Sequence, residues 1–169
     1  IFRLLRHGPA TGAENMAIDE AIAQAIAAGL VPPTLRFYAW TPPCVSLGRN
    51  QRGAEVDAPR CAALGYDIVR RPTGGKAVFH DGDLTYALAA NSRRHGFPPD
   101  ILGTYRRIGG CLRRGLAELG IQADMAEEGR PWEDLASTAS CFALPSRYEL
   151  LVDGRKICGS AQVRSQGTF

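Results

Sequence analysis

The chain has 169 residues, of which 45% are hydrophobic and 22% charged, a composition typical of one globular domain. Its formal net charge of +3, from 20 basic and 17 acidic side chains, is too small to indicate a nucleic-acid-binding protein. No segment of the sequence approaches the roughly 20 apolar residues that span a bilayer, and the N-terminus lacks the order of a signal peptide. We therefore expect a cytoplasmic protein with no nucleic-acid or membrane partner.

The first half of the chain predicts alternating strands and helices. Four short elements are indicated by their composition and by flanking glycine or proline, at residues 2–5, 34–40, 44–47 and 57–64. A longer helix is expected at residues 12–28, where apolar side chains recur every three or four positions. Asn15 and Asp19 share one face of that helix, so they are either solvated or directed into a site.

The second half adds one long helix and further strands. The helix is expected at residues 101–119, and Gly109-Gly110 in its middle predicts close packing there. Strands are indicated by runs of apolar residues at 83–91, 121–124, 148–152 and 155–163. Asp153-Gly154 predicts a two-residue turn between the last two. The fold class is therefore α+β, with a mixed sheet containing hairpins packed by two long helices.

A glycine-rich segment, residues 70–81, joins two of the predicted strands, 66–69 and 76–79. Pro72 fixes one backbone angle, and Gly74-Gly75 permits positive φ and leaves main-chain N–H groups uncovered by side chains. The segment is either a site for an anionic or polar small molecule or a plain hairpin with charged shoulders. His80-Asp81 at its end is either a general acid/base pair or a strand-end histidine beside a turn-forming aspartate.

The chain has five cysteines, an odd number at wide spacings without a C-x-x-C pair, which excludes a disulfide framework and a zinc site as expectations. Four of them are predicted to be small packed residues: Cys44, Cys61, Cys111 and Cys158. Cys141 differs, because it follows a polar loop and lies outside any periodic apolar pattern. It is either an exposed, reactive thiol or a structural residue.

Lys156 lies on the last predicted strand and is one of only two lysines, with Lys76. It is either a solvated edge residue or part of a site. The small residues Gly159, Ser160 and Ala161 that follow it indicate close approach by a ligand or by backbone.

Four motifs occur in order along the chain: residues 15–20 (Asn-Met-Ala-Ile-Asp-Glu), residues 33–38 with 43–48, the glycine-rich segment with residues 83–86, and residues 153–162. Together they strongly resemble the lipoate-protein ligase A / octanoyltransferase superfamily. The resemblance implies the biotin/lipoate ligase (class II synthetase-like) catalytic fold. It also implies that residues 1–169 are a single catalytic domain that lacks its C-terminal end.

Two features resemble one branch of that superfamily, the cysteine-dependent octanoyltransferases. Lys76 stands where lipoate ligases usually carry a third glycine, and residues 140–149 resemble the segment that holds the octanoyltransferase cysteine. In that branch the matching cysteine forms an acyl thioester. The resemblance therefore implies that Cys141 is the nucleophile and that Lys156 positions the acyl carbonyl and stabilises the oxyanion.

The same resemblance implies the remaining site residues and the substrates. Gly74, Gly75 and residues 159–161 are expected to line the acyl channel, and Arg71 and His80 to shape its mouth. The partners would be octanoyl-acyl carrier protein and lipoyl-accepting domains, such as the glycine cleavage H protein or a 2-oxoacid dehydrogenase E2 subunit.

Two alternatives to the octanoyltransferase stay open. An octanoyltransferase would require no cofactor and no metal. The first alternative is an ATP-dependent lipoate-protein ligase, which would use ATP and Mg²⁺ and make a lipoyl-adenylate. A non-catalytic acyl-binding or carrier-binding relative is the third hypothesis.

Overall fold

The computed structural model describes residues 1–126, 147–165 and 167–169. These residues form two compact units: one combines Ile1–Gly96 with Gln162–Phe169, and the other is Phe97–Ala161. None of the helices within the described residues is long and apolar enough to cross a membrane.

The first unit contains two α-helices and six strands. In chain order they are β1 (Arg3–Ala10), α1 (Gly12–Ala27), β2 (Thr34–Trp40), β3 (Cys44–Leu47), α2 (Ala58–Ala63), β4 (Asp67–Arg70), β5 (Val78–His80) and β6 (Thr85–Ala89). A single 3₁₀ turn, Gly53–Glu55, precedes α2. In one sheet β2 lies between parallel β1 and antiparallel β6, and in the other β3 lies between parallel β4 and antiparallel β5.

The second sheet excludes one of the two alternatives for the glycine-rich segment, the plain hairpin. β4 and β5 flank the segment in sequence, yet neither pairs with the other, because β3 lies between them. The segment therefore crosses over one strand. Two further strand limits also differ: β1 continues to Ala10 through an irregularity between Arg6 and Pro9, and β6 is shorter than residues 83–91.

Helix α1 begins with a capping box. The Thr11 hydroxyl accepts from the Glu14 amide, and the Glu14 carboxylate accepts from the Thr11 amide. Gly12 follows the cap because a Cβ there would stand 2.7 Å from the Cys44 Sγ. The start of the helix is thus packed directly against β3, and burial raises the pKa of the Cys44 thiol to about 12, with the nearby Asp67 charge adding to the rise.

Asn15 and Asp19 face inward rather than into solvent. Arg36 is fully buried and donates to the Asn15 Oδ1 and the Asp19 Oδ1, both at 2.7 Å. The Tyr38 hydroxyl donates to the other Asp19 oxygen at 2.8 Å. Burial raises the pKa of Asp19, and the bonds from Arg36 and Tyr38 oppose that rise. These polar groups belong to a buried network that ties α1 to β2.

The second unit contains α3 (Ile101–Glu118), β7 (Asp124–Met125), β8 (Leu150–Val152) and β9 (Arg155–Cys158). The predicted close packing is confirmed at Gly109, where a Cβ would lie 3.0 Å from the Tyr148 carbonyl oxygen. The strand expected at residues 121–124 is displaced, since β7 begins only at Asp124. The Ile121 amide instead bonds to the Leu116 carbonyl and closes the end of α3, with Gly120 at a φ of 79°.

Strands β8 and β9 form the predicted hairpin. Asp153 and Gly154 have φ values of 49° and 70°, which are the two positive angles that a tight two-residue turn of this kind needs. The register shifts by one residue between Leu150 and Leu151, so Ile157 has no partner across the hairpin. β9 ends at Cys158, which corrects the expectation of a strand to residue 163.

The cysteine predictions are confirmed in part. Cys44 is buried, and Cys61 and Cys158 are half-buried. Cys111 was expected to be packed, but it is exposed on α3. Its position in mid-helix gave no information about which face it occupies.

Candidate functional site

The glycine-rich segment is held against the loop that follows β3. The Arg49 amide donates to the Thr73 carbonyl at 2.8 Å, and a Cβ on Gly48 would overlap the Gly75 carbonyl oxygen. Gly75 has a φ of 93°, so the expected positive angle is confirmed there. Gly74 is not among the residues with positive φ, and a Cβ on it would meet nothing within 4 Å.

Two arginines fix these loops through the chain's own carbonyl groups. Arg71 donates to the Ser46 carbonyl at 2.7 Å and to the Gly74 and Lys76 carbonyls at 2.8 and 2.6 Å. Arg70 donates to three carbonyls of the neighbouring loop, those of Gly48, Arg49 and Gln51. Arg71 therefore shapes the segment from within, and Arg70 fixes the neighbouring loop to it.

His80 belongs to the same network. Its Nδ1 lies 2.9 Å from the Asp83 carboxylate, its Nε2 lies 2.8 Å from the Ser46 hydroxyl, and its ring stacks on Trp40 with centroids 4.1 Å apart. The acid/base pairing of His80 with Asp81 is therefore wrong, because Asp83 supplies the carboxylate. This arrangement leaves His80 8% exposed.

The contact with the Asp83 carboxylate decides which His80 nitrogen carries the proton in the neutral ring. A carboxylate only accepts, so His80 carries a proton on Nδ1, and in the neutral ring Nε2 accepts from the Ser46 hydroxyl. Ser46 in turn accepts from Arg71 at 3.2 Å. Burial works to raise the pKa of Asp83, but hydrogen bonds from His80 and Thr85 lower it overall.

The order serine, histidine, aspartate is also that of the serine hydrolase triad. Here Ser46 lies within β3 and is only 1% exposed. A hydroxyl buried to that degree cannot be reached by a substrate. Ser46, His80 and Asp83 therefore support the glycine-rich segment through Arg71, and they do not form a nucleophile.

Lys76 is directed toward Glu55, with the Lys76 Nζ 3.7 Å from the carboxylate. Both side chains are about one-third exposed, at 32% and 34%. The pKa of Glu55 is lowered, chiefly by its hydrogen bonds with Gln51 and the Arg52 amide, with a smaller contribution from Lys76. An ion pair that open to water fixes the side chain only weakly.

Lys156 lies in a very different environment in the second unit. Its Nζ is 2.8 Å from the Glu149 carboxylate, and the two side chains are only 3% and 6% exposed. The interpretation of Lys156 as a solvated edge residue is therefore wrong. A buried ion pair costs desolvation of both charges, and it persists only where the geometry is good.

Gly159 makes room for this pair. A Cβ at residue 159 would lie 2.7 Å from the Lys156 Cε, 2.9 Å from its Nζ and 3.3 Å from the Glu149 carboxylate. The small residue thus permits close approach, but the approaching group is the Lys156 side chain and not the ligand or backbone that the sequence predicts. Ser160 and Ala161 follow β9 in irregular backbone, with Ala161 exposed. Burial and the Glu149 charge raise the pKa of the adjacent Cys158 thiol, which Lys156 opposes.

The sequence reasoning missed three residues that these contacts bring forward: Ser46, Asp83 and Glu149. Asp83 follows His80 by three residues, and Ser46 alternates with Cys44 on a strand, so weak signals existed for both. Glu149 ends the segment 140–149 that resembles the octanoyltransferases, but nothing in the sequence indicated its contact with Lys156. Cys141 lies outside the described residues.

Comparison with known proteins identifies the family. A family model described as Lipoyl protein ligase A/B catalytic domain matches residues 11–169. The chain belongs to this family. Lipoate-protein ligase A bound with ATP has a structure with a TM-score of 0.77 and 29% identity, matched over 98% of this chain and 62% of that one. The predicted α+β ligase-type fold is confirmed by these two findings.

Two further members are similar over nearly the whole chain. Octanoyltransferase LipM of Kyrpidia tusciae is 48% identical over 99% of this chain and 63% of its own length. A bi-partite lipoate protein ligase from Thermoplasma acidophilum, described with its E2 lipoyl domain, has a TM-score of 0.73 and 27% identity over 98% of this chain and 57% of its own. The chain therefore spans less than two thirds of the length of each of these three relatives.

Proposed function

We propose that the protein is an N-octanoyltransferase of lipoate biosynthesis, which moves an octanoyl group from acyl carrier protein to a lysine of a lipoyl-accepting domain. The observation that carries this proposal is the 48% identity with a chain named Octanoyltransferase LipM. Identity with the ligase structures is lower, at 27% and 29%. Residues 1–169 would act as one catalytic domain in the cytoplasm.

The proposed reaction has two steps. The Cys141 thiolate attacks the carbonyl carbon of the octanoyl thioester, and the carrier's thiolate leaves as the new thioester forms. The amine of the acceptor lysine then attacks that thioester, the carbon–sulfur bond breaks, and the Cys141 thiolate leaves. The nitrogen loses its proton to solvent, so the product is an octanoyl amide. Neither step consumes ATP.

Lys156 is proposed to stabilise the oxyanion that develops in both steps. A preorganised cation shielded from water does this far more strongly than one in solution, and loss of one such donor costs about 3–4 kcal/mol. The buried position of its ammonium beside Glu149 supports this role. Gly159 supports it as well, because only a residue without a side chain leaves that ammonium its space.

The glycine-rich segment is proposed to contact the acyl substrate through Gly74 and Gly75. Arg71 and His80 would then act by holding that segment in shape. Their bonds to carbonyl groups and to Ser46 and Asp83 support a positioning role.

The proposed acceptor is a lipoyl-accepting domain, either a glycine cleavage H protein or a 2-oxoacid dehydrogenase E2 subunit. The E2 lipoyl domain described with the Thermoplasma acidophilum relative supports this class of acceptor. The proposal of octanoyl-acyl carrier protein as the donor is supported only by the resemblance to the cysteine-dependent octanoyltransferases.

A second candidate is an ATP-dependent lipoate-protein ligase, favoured by the likeness to a ligase structure bound with ATP. In that enzyme ATP and Mg²⁺ would activate lipoate, Lys156 would hold the acyl-adenylate carbonyl and Cys141 would be incidental. A non-catalytic acyl-binding relative is the third candidate.

Mass spectrometry of the intact protein separates these candidates. With octanoyl-acyl carrier protein and no nucleotide, we expect an octanoyl adduct that is absent from the Cys141→Ala variant. AMP release from ATP and lipoate, unchanged in Cys141→Ala, would contradict the transferase and support the ligase. Binding without either an adduct or AMP would support the non-catalytic relative.

A further inference from the structure

The buried Lys156 raises a chemical problem for an enzyme of the proposed kind. The second step of the proposed reaction is attack by a lysine amine on a thioester. A neutral amine on Lys156, near enough to stabilise the oxyanion, would be able to make the same attack. The thioester would then pass to Lys156 as a stable amide, and the enzyme would be inactivated after one turnover.

The contact between Lys156 and Glu149 removes this problem. An amine is a nucleophile only through its lone pair, and an ammonium has none. Burial by itself disfavours the charged form of a lysine. The Glu149 carboxylate at 2.8 Å, equally buried, supplies the opposite charge that favours the ammonium.

We propose that Glu149 is a positioning residue that keeps Lys156 as an ammonium, so that Lys156 stabilises the oxyanion and cannot accept the acyl group itself. The inference rests on the proposed transferase function. Gly159 completes the arrangement, since a Cβ at that residue would displace both the Lys156 Nζ and the Glu149 carboxylate from their positions.

The chain contains a matched control for this pair. Among the described residues, Lys76 and Glu55 form a second lysine–glutamate contact, at 3.7 Å and with both side chains about one-third exposed. Glu55→Gln removes a carboxylate charge from beside a lysine, as Glu149→Gln does, but at a site that is open to solvent. Neither Glu55 nor Lys76 has a role in the proposed chemistry.

The test is the chemical stability of the adduct formed with octanoyl-acyl carrier protein. Hydroxylamine cleaves a thioester but leaves an amide intact. In the parent protein and in Glu55→Gln we expect an adduct that hydroxylamine removes completely. In Glu149→Gln we expect slower adduct formation, by about tenfold or more, and a hydroxylamine-stable fraction that peptide mapping assigns to Lys156. A Glu149→Gln adduct that remains wholly cleavable would overturn the inference.

A second measurement needs neither transferase activity nor a folded variant. In protein labelled with ¹⁵N-lysine, the Nζ of Lys156 should give an ammonium signal in the parent at neutral pH. A neutral amine signal there would overturn the inference. If the parent shows the ammonium but forms no adduct with the carrier, the proposed transferase function fails while the assigned charge on Lys156 stands.

Discussion

Two lysine–glutamate pairs in the described part of the chain show how burial changes what the same residue types can do. Lys76 and Glu55 lie 3.7 Å apart and are about one-third exposed, so water screens their attraction and the contact holds little energy. Lys156 and Glu149 lie 2.8 Å apart and are almost completely buried. In that setting the pairing matters more, because loss of one charge leaves the other desolvated and without a close opposite charge that it had. The buried pair therefore holds a cation away from water, and the exposed pair does not.

The largest expected effect comes from replacing the lysine of each pair. Lys156→Met should slow formation of the octanoyl thioester by about 10²–10³-fold, because the oxyanion loses its buried cation. Lys76→Met should leave that rate close to the parent value. Rapid-quench intact mass measures both rates with the same carrier. Equal losses in the two variants would contradict the assignment of Lys156 as the working cation.

A smaller effect is expected from two glycines, one in each region. Gly159→Ala should lower the free energy of unfolding by about 1–3 kcal/mol, since its Cβ would force Lys156 out of place. Gly74→Ala should change it by less than about 0.5 kcal/mol, because its Cβ would meet nothing within 4 Å.

Denaturant unfolding of both variants measures these differences. Thioester formation by Gly159→Ala should also be slowed, whatever remains of its stability. A Gly159→Ala protein as stable and as active as the parent would show that Lys156 has more room than the structure gives it.

The smallest expected effect concerns Asp83, at the solvent-facing end of the His80 network. Its folded pKa lies below the ordinary value of 3.8, so the ionised carboxylate stabilises the fold above that pH. This contribution is lost as pH falls through the folded value. From neutral pH to about pH 3 the parent should therefore lose more stability than Asp83→Asn, by less than about 1 kcal/mol because the carboxylate is half-exposed. Urea titrations at the two pH values measure this difference in the loss of stability. An equal loss in both proteins would show that the Asp83 carboxylate does not stabilise the fold.

Much of the fold could be predicted from local sequence. The extent of α1 and the Asp153-Gly154 turn follow from a few neighbouring residues, and both appear where the sequence indicates. The crossover in the glycine-rich segment could not be predicted in the same way. It depends on β3 entering between β4 and β5, which is a pairing between distant parts of the chain.

The residues of the candidate site also fall into those that local sequence predicts and those that only the fold decides. Arg71, His80 and Lys156 could be found from their motifs, because a resemblance preserves residue type and spacing. Their partners could not be assigned from residue type. Asp81 and Asp83 are both aspartates close to His80, and only the path of the chain decides that Asp83 meets the ring. Glu149 is likewise an ordinary glutamate until the hairpin buries it against Lys156.

The most direct test of the account is whether the octanoyl group passes through Cys141. The protein is first loaded with isotope-labelled octanoyl-acyl carrier protein in the absence of nucleotide, then separated from the carrier and mixed with a lipoyl-accepting domain. We expect the label to lie on Cys141 after loading and to move from there to a lysine of the acceptor. Label that reaches the acceptor at the parent rate in a Cys141→Ala variant, or only when ATP is added, would contradict the account.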